Sequence, residues 1–186
     1  DCPRAWKSRE SRIVLNPDEG SSMNILGCIP ARYASTRFPG KPLIDLAGKS
    51  MIQRVYEQAK KAKSLNEVIV ATDDERIFKH VENFGGKAMM TSSTHQSGTD
   101  RCNEVLEKLN KNFDAVINIQ GDEPIIQPEQ IDLLAKCFSD SSTELATLIM
   151  QTEDPNLIHN INRIKVTIDK NNTALYFSRA AIPFMK

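Results

Sequence analysis

"EVIVATDDERIFKHVENF", Glu67 to Phe84, decides the fold. Glu67–Thr72 is a short apolar run rich in β-branched residues, which suits a buried strand. Asp74–Phe84 then reads as a helix, with Thr72 and Glu75 at capping-box spacing at its start. A buried strand that feeds straight into a helix is the repeating unit of a parallel sheet with crossover helices.

The same alternation extends outward in both directions. Upstream, Asn24–Ile29 is a short apolar run, and Lys49–Ala62 places Met51, Ile52, Val55, Tyr56 and Ala59 at helical spacing. Downstream, Lys87–Thr91 suits a short strand and Thr99–Leu109 a helix with Cys102, Val105, Leu106 and Leu109 on one face. Asp114–Gln120 suits a strand, and Pro128–Phe138 a helix with proline in its first turn. "ELATLIMQ", "RIKVTID" and "ALYF" close the chain as further strands. The pattern predicts one doubly wound α/β domain over 23–186, with a mainly parallel, mixed sheet and helices on both faces. Asp1–Ser22 has no clear period and no signal-peptide core. It reads as a tag, scar or disordered leader, with Met23 as the natural start.

With 186 residues the chain can bury a real core. Lys and Arg total 24, as do Asp and Glu, and this balance argues against nucleic-acid binding by bulk charge. No apolar run reaches the length of a membrane span. Cys2, Cys28, Cys102 and Cys137 form no C-x-x-C pair, and the histidines are His80, His95 and His159. These spacings argue against a zinc site and against a disulfide framework. Cys28, Cys102 and Cys137 suit buried free thiols, hence a reducing cytoplasm.

In a doubly wound sheet, ligands bind beyond the carboxyl ends of the strands. "IPARYASTRFPGKPL", Ile29–Leu43, follows the first strand and gathers Arg32, Arg37 and Lys41 among prolines, a glycine and small residues. Guanidinium forks and a lysine ammonium match a polyphosphate; the same residues also suit a solvated loop. "QGDEP", Gln120–Pro124, follows the strand "DAVIN". Asp122 there can hold Mg²⁺ together with substrate phosphates, or can serve a turn. "THQSGTDR", Thr94–Arg101, offers Ser97, Gly98 and Thr99 to a ribose or base, or merely caps a helix. "GKS", Gly48–Ser50, lacks the earlier glycine of a phosphate-binding loop and reads as a turn that opens a helix.

Taken together, "IPARYASTRFPGKPL", "VIVATDD", "HQSGTDR", "NIQGDEP" and "ALYFSRAAIP" resemble the bacterial 3-deoxy-manno-octulosonate (Kdo) cytidylyltransferases, from Met23 to the end of the chain. The resemblance implies a Rossmann-like nucleotidyltransferase fold. It also implies cytidylyl transfer from CTP to Kdo with Mg²⁺, which gives CMP-Kdo and pyrophosphate for lipopolysaccharide. Under it, Arg32, Arg37 and Lys41 contact the triphosphate, while Ala31, Thr72, Gln96, Ser97, Gly98 and Thr99 line the cytidine. Asp122 is a metal ligand, with Arg32, Lys41 and Asp122 central to catalysis. Gln120, Tyr176, Ser178 and Arg179 lie near the acid sugar. Related expectations are a homodimer in the full-length family and, as alternatives, activation of another acid sugar such as sialic acid or an inactive nucleotide-binding fragment. Family members continue past Lys186 with a second metal-binding Asp, so the chain is also expected to be shortened and a weak catalyst.

Overall fold

The computed structural model describes residues 4–7, 23–34, 38–152 and 154–183. In chain order the strands are β1 (Arg4–Lys7), β2 (Ile25–Ala31), β3 (Glu67–Thr72), β4 (Ala88–Met90), β5 (Ala115–Asn118), β6 (Ala146–Ile149), β7 (Lys165–Ile168) and β8 (Ala174–Ser178). The helices are α1 (Met51–Ala59), α2 (Glu75–Asn83), α3 (Gly98–Leu109), α4 (Pro128–Ala135) and α5 (Pro155–His159). Lys41–Leu43 and Lys136–Ser139 are 3-10 turns.

The chain forms two compact units, Gly20–Asp132 and Asp1–Glu19 with Leu133–Lys186. The first holds a parallel sheet in the order β4-β3-β2-β5. In the second, β6 pairs antiparallel with β1, and β7 with β8. The single domain read over 23–186 is therefore divided. The physical reason is pairing: β6, β7 and β8 make ladders of their own, and apolar alternation carries no record of a strand's partner. β1 lies within the stretch read as a leader; four residues are too few to show a period.

β2 and β3 are buried almost throughout, as crossover helices on both faces require. Leu26, Cys28, Ile69 and Ala71 meet Cys102 and Val105 of α3 in one cluster. Ile52 and Val55 of α1 and Ile77 and Val81 of α2 are fully buried as well. Each such aliphatic side chain contributes about 1.5–3 kcal/mol by leaving water. Cys28 and Cys102 are buried free thiols, as their setting in the sequence predicts, and Cys137 is buried as well. A hydrogen bond with Cys102, and then burial, push the Cys28 thiol well up from its ordinary value.

Ser50 caps α1 by accepting the Gln53 N–H, so "GKS" does open a helix. The cap of α2 corrects the sequence reading. It is Asp74, whose carboxylate accepts from Arg76 N at 3.0 Å. Thr72 cannot fill the role because it ends β3 fully buried, its hydroxyl accepting from Asp74 N at 3.2 Å. The helix predicted over Pro128–Phe138 is α-helical only to Ala135 and tightens into the 3-10 turn beyond.

Candidate functional site

From β2 the chain moves outward through β3 to β4, then returns to place β5 on the other side of β2. The reversal opens a crevice at the carboxyl ends of β2 and β5, where such sheets take their ligands. Pro30, Ala31 and Arg32 leave β2 at this point, and Gln120–Asp122 follow β5. A third segment joins them. A Cβ on Gly98 would stand 3.1 Å from Pro30 Cγ, and one on Gly121 would stand 2.9 Å from Pro30 O. Both positions need glycine because two loops close on one proline. Three segments far apart in sequence thus meet at one strand end.

The cationic loop is tied down locally. Gly40, in the left-handed region at φ 72°, donates to Tyr33 O at 2.9 Å and packs on the Tyr33 ring. The Arg76 guanidinium lies 3.3 Å from the centroid of that ring and is fixed by Asp74 through bonds of 2.9 and 2.6 Å. Held by this turn, Lys41 Nζ bonds Asp122 Oδ2 at 2.6 Å. Their side chains are 39% and 51% exposed, so both remain open to a ligand. Arg32 and Gln120 are exposed. Arg37 lies outside the described residues.

Ser97 is the N-cap of α3 and forms a capping box with Asp100, so the helix-opening reading of this segment holds. Gln96 and Thr99 are exposed, and Gln96 Nε2 donates to Thr94 O at 3.0 Å. Ala31 and Thr72 are register partners at the ends of β2 and β3, and both are buried. The Thr72 hydroxyl oxygen accepts from the Asp74 amide and lies fully buried. In the other unit, Tyr176 is exposed, Ser178 Oγ donates to Ala180 O at 3.0 Å, and Arg179 donates to Ile161 O at 3.2 Å.

Sequence reasoning missed a set of residues behind the loops. Arg101, 2% exposed, bonds Thr91 Oγ1 and Asp73 Oδ2, the latter at 3.0 Å. Glu104 accepts from Ser92 N at 2.8 Å, from Lys108 Nζ at 2.7 Å and from His95 Nε2. Lys108, the Ser92 amide and His95 hold the Glu104 carboxyl down to about 2 from its usual 4.5. The stability this gives is complete above pH 4.5 and is lost as pH falls toward about 2. Thermal unfolding across that window should show a smaller acid dependence in Glu104→Gln than in the parent; identical profiles would remove Glu104 as a contributor.

Among the described residues, no group of three or more His, Cys, Asp or Glu is placed to hold a metal ion. No helix among them is long and apolar enough to cross a membrane.

Sheet order, switch-point crevice and the loops around Pro30 define a Rossmann-like α/β protein of nucleotidyltransferase type. The chain belongs to the cytidylyltransferase family, whose profile matches residues 26–186. It is 53% identical to the 3-deoxy-manno-octulosonate cytidylyltransferase of Parabacteroides distasonis, over 88% of this chain and 66% of that protein. It is 44% identical to the mitochondrial 3-deoxy-manno-octulosonate cytidylyltransferase of Arabidopsis thaliana, over 95% of this chain and 61% of that one. A solved CMP:2-keto-3-deoxy-manno-octonic acid synthetase complexed with CTP superposes with a TM-score of 0.75 at 40% identity, covering 87% of this chain and 66% of the other. The chain therefore spans a little under two thirds of the length of such relatives.

Proposed function

We propose that the protein transfers the cytidylyl group of CTP to Kdo, releasing pyrophosphate, in the cytoplasm and in the service of lipopolysaccharide assembly. The observation that carries this reading is the Lys41–Asp122 pair at 2.6 Å. A lysine ammonium beside a carboxylate at the switch point of the sheet supports phosphoryl chemistry there. The names of the relatives supply the acid sugar and the nucleotide.

In the proposed reaction the anomeric hydroxyl oxygen of Kdo bonds to the α-phosphorus of CTP. The bond from that phosphorus to the bridging oxygen breaks, and pyrophosphate leaves. Lys41 and Arg32 offset the charge that builds on the leaving group, and small residues let the backbone come close. The exposed Gln96–Thr99 segment faces the base. Tyr176, Ser178 and Arg179 are assigned to the acid sugar on the resemblance alone. The exposed carboxylate of Asp122, with Glu123 exposed beside it, suits magnesium, which takes few protein ligands and completes its shell with phosphates and water. Asp122 would hold it, and when bound it supplies positive charge at the phosphate oxygens.

Pyrophosphate release measured with CTP, Mg²⁺ and either Kdo or sialic acid tests the proposal. Release with Kdo alone supports it, release with sialic acid alone redirects it, and release with neither overturns it for this chain. Binding gives a separate check. Lys41→Ala and Arg32→Ala should each cost about 1.5–3 kcal/mol of CTP affinity, tenfold or more in calorimetric titration. Unchanged affinity in folded variants would remove the loop from the nucleotide site.

A further inference from the structure

Arg101, Glu104 and Lys108 sit at i, i+3 and i+7 on α3, which places them on one side of the helix. Cys102 and Val105 on the neighbouring stripe are buried in the core. Arg101 and Glu104 are largely withdrawn from water, while Lys108 stays exposed. Arg101 bonds Thr91 Oγ1, Lys108 Nζ donates to Met90 O at 2.8 Å, and Glu104 takes Ser92 N and His95 Nε2 on one oxygen. These bonds all reach the segment that runs from the end of β4 toward Gln96, and Arg101 bonds Asp73 besides. The His95 and Glu104 side chains are only 21% and 17% exposed, whereas the Lys79–Glu75 pair of α2 stands 65% and 72% exposed. At its far end the segment is fixed by the Ser97–Asp100 capping box and by the seating of Gly98 on Pro30.

We propose that Glu104 is a positioning residue for the base of the bound nucleotide. It ties the Ser92 backbone and the His95 ring to one carboxylate, and so holds Gln96–Thr99 at a fixed depth over the end of β2 without touching the ligand. A segment already ordered before binding loses less freedom when the base arrives. The inference rests on the reading that this segment lines the cytidine. The phosphate-binding groups, Arg32 and Lys41, lie on a different loop, so Glu104 should govern the base and leave the phosphates alone.

Calorimetric titration with CTP and with inorganic tripolyphosphate separates the two. In Glu104→Ala, CTP affinity should fall about tenfold, while tripolyphosphate affinity stays within about twofold. His95→Ala removes one bond of the set and should cost about threefold for CTP only. Glu104→Gln keeps an oxygen for the Ser92 amide and should recover part of the loss. Equal losses for both ligands would mark a general structural role and overturn the proposal, as would unchanged CTP affinity. Should Glu104→Ala fail to fold, His95→Ala and Glu104→Gln decide by the same comparison. If the parent chain binds CTP no more tightly than tripolyphosphate, the cytidine reading itself fails and the inference falls with it. If the parent prefers CTP and the variants keep that preference in full, only the inference fails.

Discussion

Asp73→Ala should destabilise the fold by about 3 kcal/mol or more, a clear drop in the midpoint of urea unfolding. Arg101 is the reason. Its guanidinium is 2% exposed, and its bonds are to Thr91 Oγ1 and to Asp73 Oδ2. Asp73 is itself 16% exposed, so the pair is largely out of water. Removing the carboxylate leaves a buried cation with a hydroxyl for company, and that is the costly way to break a buried pair. Replacing both partners is different. Asp73→Ala combined with Arg101→Met takes the charge away as well and should recover much of the loss. Glu57→Ala is the control, because the Lys49–Glu57 pair is 44% and 38% exposed and should matter by about 1 kcal/mol at most. If Asp73→Ala and Glu57→Ala lower the midpoint equally, Arg101 is hydrated and the argument is wrong.

Such residues show where sequence reading stops. The β3–α2 junction was legible because burial writes itself into local composition: "EVIVAT" has no polar face to hide. The loops of the candidate site stood out too, since cations and adjacent carboxylates directly after strands need a reason. That Lys41 meets Asp122 was not written there. They are 81 residues apart, and their meeting depends on β5 landing beside β2, which periodicity does not encode. Arg101, Glu104 and Lys108 were hidden for a related reason. On a helix, charged residues beside an apolar stripe look like a solvated face, and only the position of β4 and the segment after it gives them partners. The assignment of the α2 cap to Thr72 failed because spacing was weighed without burial. A threonine needed inside the sheet end cannot also start the helix. Likewise the division of the chain into two units follows from which strands pair, and β6 to β8 looked like any other strands.

Asp122→Asn is the variant expected to affect the proposed reaction most. The side chain is 51% exposed and its partner Lys41 is 39% exposed, so the pair contributes at most about 1 kcal/mol to stability. The variant should therefore unfold at nearly the parental temperature. Turnover should respond differently. Asparagine keeps the shape but loses the charge that would hold magnesium, and a misplaced charge at a reacting phosphate costs on the order of 10²-fold in rate. Binding without turnover supplies an independent sign. With magnesium absent, Asp122 repels the triphosphate and competes with it for Lys41 Nζ, so CTP measured in a chelator should bind Asp122→Asn as tightly as the parent or more so. With magnesium present, the order should invert, because the parent can recruit the metal and the variant cannot. Calorimetric titrations of both proteins, with and without magnesium, read this crossing directly. Two parallel curves, with magnesium helping parent and variant alike, would leave Asp122 as a turn residue that happens to neutralise Lys41.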